Sequence, residues 1–149
     1  MSLSMTRAER EAFLADVHVA VISVAQPDRP PLTVPVWYLY EPGGDICIAT
    51  GAQARKTACI RAVGHMSLCA QTETPPYKFV TVEGPASITP LDDDVLVRRI
   101  AHRYLGEQLG DYYVQTTAAE RARSGEVLVR LTPRRWLSVD YTKMGGGGE

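Results

Sequence analysis

Arg55 and Lys56 stand side by side at a point where the residue pattern changes from strand to helix. Cations in a first helical turn oppose the helix dipole, so a bound anion explains this pair better than an ordinary solvated helix start. The chemistry on offer is anion binding, most often of phosphate, by two charge-assisted donors beside the free N–H groups of the turn. No nucleophile–base pair accompanies it. His18, His65 and His102 lie in separate segments without metal-ligand spacing, which argues against zinc or non-haem iron. Asp92-Asp93-Asp94 reads as a helix start favoured by the dipole. Cys47, Cys59 and Cys69 are odd in number, sit among apolar residues and form no CxxC, as expected of reduced core thiols in a cytoplasmic protein.

The elements that must position Arg55 and Lys56 lie just before them. Leu32, Val34, Val36, Tyr38 and Tyr40 alternate with Thr33, Pro35, Trp37 and Leu39, the period of a pleated strand. Glu41-Pro42-Gly43-Gly44 supplies a reversal, and Asp45 to Thr50 returns with Ile46 and Ile48 on one face, so a hairpin is expected. The helix after it turns Ala58 and Ile60 inward and ends at Gly64. Upstream, Thr6 and Glu9 form a capping box for a helix whose apolar side is Ala8, Ala12, Phe13 and Ala15. A strand over Val17 to Ala25 follows it.

Downstream, His65 to Gln71 alternates as a strand. Tyr77 to Thr89 is a long strand with a bulge or barrel corner at Gly84-Pro85. Helical spacing runs from Val95 to Gly106 and, more weakly, over about Asp111 to Arg123. Glu126 to Thr132 is a strand, and Trp136 to Tyr141 a short further one. If the barrel left Val34, Val36, Trp37 and Tyr38 near an edge, it would expose an apolar patch too large for a soluble monomer.

At 149 residues, the chain suits one domain with a workable core, expected over residues 1–143 with a flexible glycine-rich tail at 144–149. A net charge of −1 gives no case for nucleic acid or an anionic membrane. No apolar run approaches the roughly 20 residues of a membrane span, and no secretory h-region opens the chain. Strands in hairpin order with flanking helices predict a mainly β (α+β) fold, an antiparallel barrel of about six or seven strands. Neither GxGxxG nor GxxxxGK[ST] occurs, so the common nucleotide loops are missing.

From about Arg10 to Lys143, the sequence resembles the pyridoxamine 5′-phosphate oxidase-like split-barrel flavoproteins. The resemblance is carried by P-V-W-Y, I-A-T-G-x-x-x-R-K, V-T-V-E-G-P-A and R-L-T-P-R-R-W-L-S-V-D-Y in that order. It implies a homodimer with cofactor sites at the subunit interface and an oxidoreductase acting on a small organic molecule. FMN is the first cofactor expected and coenzyme F420 the alternative; a non-catalytic flavin or haem binder is a further reading. The family's phosphate positions fall on Arg55 and Lys56, with Thr50 and Gly51 beside them. Its strand under the cofactor ring falls on Thr33, Val34, Pro35, Val36 and Trp37. Trp136 lies in the segment that members place near the partner's cofactor. Phe79 replaces a polar glutamine and the C-terminal Arg/His signature is missing, which argues against vitamin B6 as substrate.

Overall fold

The computed structural model describes residues 2–145. Helix α1 (Arg7–Ala15) opens with the expected capping box: Thr6 Oγ1 accepts from the Glu9 N–H, and the Glu9 carboxylate accepts from the Thr6 N–H. Its inward residues are Phe13 and Leu14. Ala8 and Ala12, expected on the apolar side, face solvent, because the two larger side chains take the core contact. Strand β1 (Ala20–Gln26) begins later than the apolar pattern suggests, leaving Val17 and Val19 outside it. A two-residue turn follows, in which Asp28 adopts φ 59°, a left-handed conformation that aspartate tolerates.

Strand β2 (Arg29–Val36) pairs with β1, whereas β3 (Ile46–Gly51) pairs with the distant β6 (Glu126–Leu131). The expected hairpin between β2 and β3 is therefore not a ladder. The turn itself is present, with the Gly44 N–H donating to Glu41 O at 2.9 Å. Among the described residues, Leu39 and Cys47 alone bridge its two arms, through two bonds of 2.9 Å. The Tyr38 backbone is engaged instead by the Tyr104 hydroxyl.

The strand order is β2-β1-β4-β5-β6-β3, all neighbours antiparallel, with β4 spanning His65–Gln71 and β5 Lys78–Pro90. The Leu39–Cys47 bridge joins the ends of this order, so the barrel is closed at one point and split along the rest of that seam. A seventh strand, β7 (Arg135–Asp140), lies against the first half of β5, and β6 against its second half. The exchange falls at Gly84-Pro85, the predicted corner. A Cβ on Gly84 would lie 1.9 Å from the Thr132 carbonyl oxygen, so no side chain fits there.

Helix α2 (Arg55–Val63) ends on Gly64 at φ 80°. It buries Thr57 and Ile60; Ala58, expected inside, is exposed. Thr57 takes the inner place because its hydroxyl donates to Gly51 O at 2.7 Å. Helix α3 (Val95–Ser124) consists of two arms broken at Gly106, φ 82° and ψ 175°. The arms fold onto each other where Gly110 meets the His102 backbone, and Arg98 and His102 both bind Asp111 at 2.6 Å. Met144 and Gly145 close a 3-10 turn (Tyr141–Gly145), and the rest of the expected tail lies outside the described residues.

The core gathers Ile22, Leu68, Val80, Val82, Ile46 and Leu131 inside the barrel. Val36 and Tyr38, expected near an exposed edge, are buried in it, and Val34 and Trp37 are half-buried. Exposed large apolar side chains lie elsewhere: Val17, Val19, Leu109 and Tyr112 are 55 to 64% exposed, as are Val95, Leu137 and Met144. Among the described residues, no helix is long and apolar enough to cross a membrane.

Candidate functional site

A cavity of about 880 Å³ lies where the end of β2, the end of β3, the start of α2 and both arms of α3 converge. Its size is within the roughly 300–1,000 Å³ of small-molecule sites. Pro35, Val36 and Trp37 form one wall, Ile48 to Gly51 another, and Val97 and Ile100 from α3 cover it. Trp37 stacks on Tyr104 with ring centroids 5.0 Å apart and planes 7° from parallel, and Tyr113 leans on it at 5.6 Å. Trp37, the aromatic member of this wall, is thus held in place by both tyrosines. Strand β2 is the outer strand of the order, so its outer edge is not paired with a further strand of that order, although Pro35 at the cavity offers a carbonyl and no N–H.

The polar end is built where α2 begins. Its N-cap, Ala54, has no side chain able to cap, so the first-turn N–H groups stay free for an anion. Lys56 reaches this end, as do Arg121 from the last turn of α3 and Glu126 from the start of β6. Arg121 is fixed by two bonds, Nε to Thr117 Oγ1 at 3.0 Å and Nη2 to Val114 O at 2.7 Å. Burial pushes the Glu126 carboxyl above the usual carboxylate range, and the charges of Arg121 and Lys56 pull against that.

Of the residues singled out from sequence, Pro35, Val36, Trp37, Thr50, Gly51 and Lys56 meet at this cavity. Arg55, Thr33, Val34 and Trp136 do not line it. Arg55 turns to the β1–β2 side, where its Nη2 donates to Gln26 Oε1 at 2.7 Å. Thr33 is exposed on β2, and Val34 packs against the barrel core. Trp136 lies under the Arg10 guanidinium at 4.6 Å, edge-on to Tyr40, beside a second cavity of about 260 Å³. Sequence reasoning missed Tyr113, Arg121 and Glu126. Arg121 reads as an ordinary cation at a helix C-terminus and Glu126 as a strand start, so no spacing pattern marks either.

The sequence profile described as Pyridoxamine 5′-phosphate oxidase matches residues 6–140. The chain belongs to that family. No curated protein sequence matches it. Among solved structures, a conserved hypothetical protein, Rv2991 from Mycobacterium tuberculosis, superposes with a TM-score of 0.74 at 23% identity, covering 96% of this chain and 89% of that one. A FAD-binding protein from Mesorhizobium loti superposes at 0.62 with 18% identity, over 91% of this chain and 94% of that one. An F420 reductase superposes at 0.60 with 15% identity, over 85% and 94% respectively. At these identities the likeness establishes the pyridoxamine 5′-phosphate oxidase-like split-barrel fold, and the cofactors named are those of the neighbours.

Proposed function

We propose that the larger cavity holds a flavin-type cofactor and that the protein is an oxidoreductase acting on a small organic molecule. The observation that carries this reading is the convergence on one cavity of the wall at Pro35, Val36 and Trp37 with Thr50, Gly51 and Lys56. Membership of the pyridoxamine 5′-phosphate oxidase family supports it, as do a FAD-binding protein and an F420 reductase among the structural neighbours. The residues fit such a group: Trp37 would supply an aromatic face for a planar ring, and Lys56 with the uncapped start of α2 would hold a phosphate. The cofactor supplies hydride transfer when bound, which is why no catalytic dyad is required of the protein. The side chains would bind and orient the cofactor, with Val97, Ile100 and Tyr113 of α3 forming one side of the site. FMN and coenzyme F420 both match this description.

A homodimer belongs to the same proposal. Val19 and Tyr113 line the cavity, and Val17, Leu109 and Tyr112, near them in the chain, are exposed apolar residues that a second copy would cover while completing the site. The free thiols of Cys47, Cys59 and Cys69 suit a reducing compartment, the cytoplasm. Titration of the purified protein with FMN, FAD and F420, followed by flavin absorbance and fluorescence, tests the assignment. Micromolar or tighter binding of one of them is expected, and no binding of any would overturn it. Reduction of the bound cofactor by NAD(P)H or by a trial substrate then separates an oxidoreductase from a cofactor store.

A further inference from the structure

We propose that Glu126 makes the polar end of the larger cavity select a phosphodiester, with one negative charge, over a phosphomonoester with two. The inference rests on reading that cavity as a flavin-type cofactor site.

Four charged side chains line the cavity: Lys56, Glu120, Arg121 and Glu126. Glu120 is already matched, by an ion pair with Arg123 and by the Ser124 hydroxyl donating to it at 2.7 Å. Lys56, Arg121 and Glu126 enter none of the ion pairs within 4.0 Å among the described residues. Two cations and one carboxylate therefore remain, an excess of one positive charge. Arg55, which would raise that excess, is turned to Gln26. The helix ends do not change the balance. The N-terminus of α2 reaches the cavity at Ala54 and Lys56, and the C-terminus of α3 at Ser124 and Gly125, so their opposite half-charges offset each other.

Glu126 is also held where it is. It pairs with Gly51 in the β3–β6 ladder, and its carbonyl accepts from the Leu91 N–H at 3.0 Å. Burial already works against the charge of its carboxyl, and the two cations work for it. A phosphodiester brings the single negative charge that the excess matches. A phosphomonoester carries about −1.5 to −2 near neutral pH, and its second charge would sit uncompensated beside Glu126. Among flavin-type cofactors, FMN carries the monoester and coenzyme F420 a diester. The diester can also accept from Lys56 and Arg121 while hydroxyl groups next to the phosphate donate to Glu126.

The test compares ligands with one ring system and different charge. Riboflavin, FMN and the monomethyl phosphate ester of FMN are titrated into the protein at pH 8, with flavin fluorescence as the readout. The methyl ester is expected to bind about tenfold or more tightly than FMN, as one like-charge contact in a partly enclosed site implies. In Glu126→Gln the two should fall within about threefold, through a gain for FMN. Equal or tighter binding of FMN by the unaltered protein, or a preference unchanged in Glu126→Gln, overturns the inference while the flavin reading stands. Failure of riboflavin, both esters and F420 to bind overturns both. Should Glu126→Gln not fold, as its melting would reveal, the comparison in the unaltered protein still decides.

Discussion

Lys56 and Arg55 are neighbours in sequence and separate in role. Both read from the sequence as candidate anion ligands, because a cation in a first helical turn asks for a counter-charge. What the sequence did not carry is that Gln26, across the β1–β2 turn, takes the Arg55 guanidinium. Lys56→Ala should therefore weaken cofactor binding by roughly 1.5–3 kcal/mol, the value of a hydrogen bond to a charged group. Arg55→Ala should leave affinity within about threefold, and titration of both variants checks the contrast. Trp136 divides differently. Half-buried between Arg10 and Tyr40, it packs against the barrel core, so Trp136→Ala should cost about 2–4 kcal/mol of stability without cofactor, at or below the usual range for aromatic truncation. Thermal melting and cofactor affinity measured on the same variant separate this from a contact with the partner's cofactor, which would lower affinity and leave melting unchanged.

Glu9 carries a pH signature at the same scale. The Lys143 ammonium, bonded to it at 2.8 Å, and then the Thr6 N–H hold its carboxyl down at about 2, against an ordinary 4.5. A depressed carboxyl stabilises the fold above its ordinary value and loses that contribution as pH falls through the depressed one. The melting temperature of the unaltered protein should exceed that of Glu9→Gln at pH 6, with the gap closing between about 4.5 and 2. Melting curves across that range, recorded for both proteins, check it.

Elements were read better from the sequence than their pairing. Period-two alternation located the strands because each has one face in the core, and the buried phase of Val36, Tyr38 and Tyr40 follows it. Pairing was harder, since β3 finds its partner β6 far along the chain and only turn chemistry was local. The glycine at the barrel corner was legible from Gly84-Pro85 within a strand pattern, whereas Gly110 fell between the two stretches of helical spacing, and its close approach to the first arm of α3 left no local signal. Gly84→Ala places a methyl group against backbone of the opposing segment, which cannot swing aside as a side chain could. The expected loss is at least about 2 kcal/mol, within the range for overpacking, measurable as a lowered denaturant midpoint at unchanged slope. A tolerated Gly84→Ala would mean that β5 and the Thr132 segment separate more easily than the close approach indicates.

At the scale of the whole molecule, the exposed apolar surface is the ground for the proposed dimer. The sequence could show that some strand face would lie exposed but not which one, because Val36 at the end of β2 and Tyr38 just after it carry the same pattern as Val17 and Val19 before β1. The fold buries the first pair and leaves the second outside, with Leu109 and Tyr112 from the second arm of α3 also exposed. Large apolar residues that flank a cavity on two elements are what a two-fold interface would cover. A symmetric dimer burying about 2,000 Å² or more in total is expected, the size class of obligate pairs. Sedimentation equilibrium at micromolar concentration should return twice the chain mass with or without cofactor. Replacing Leu109 and Tyr112 together by glutamate should shift that mass toward the monomer, because two carboxylates buried at an interface without partners cost more than the contacts return. The same variant should lose cofactor affinity, since Tyr113 beside them lines the cavity. A monomer in the unaltered protein would place the site within a single chain, and a double variant that stays dimeric with full affinity would remove Leu109 and Tyr112 from the interface.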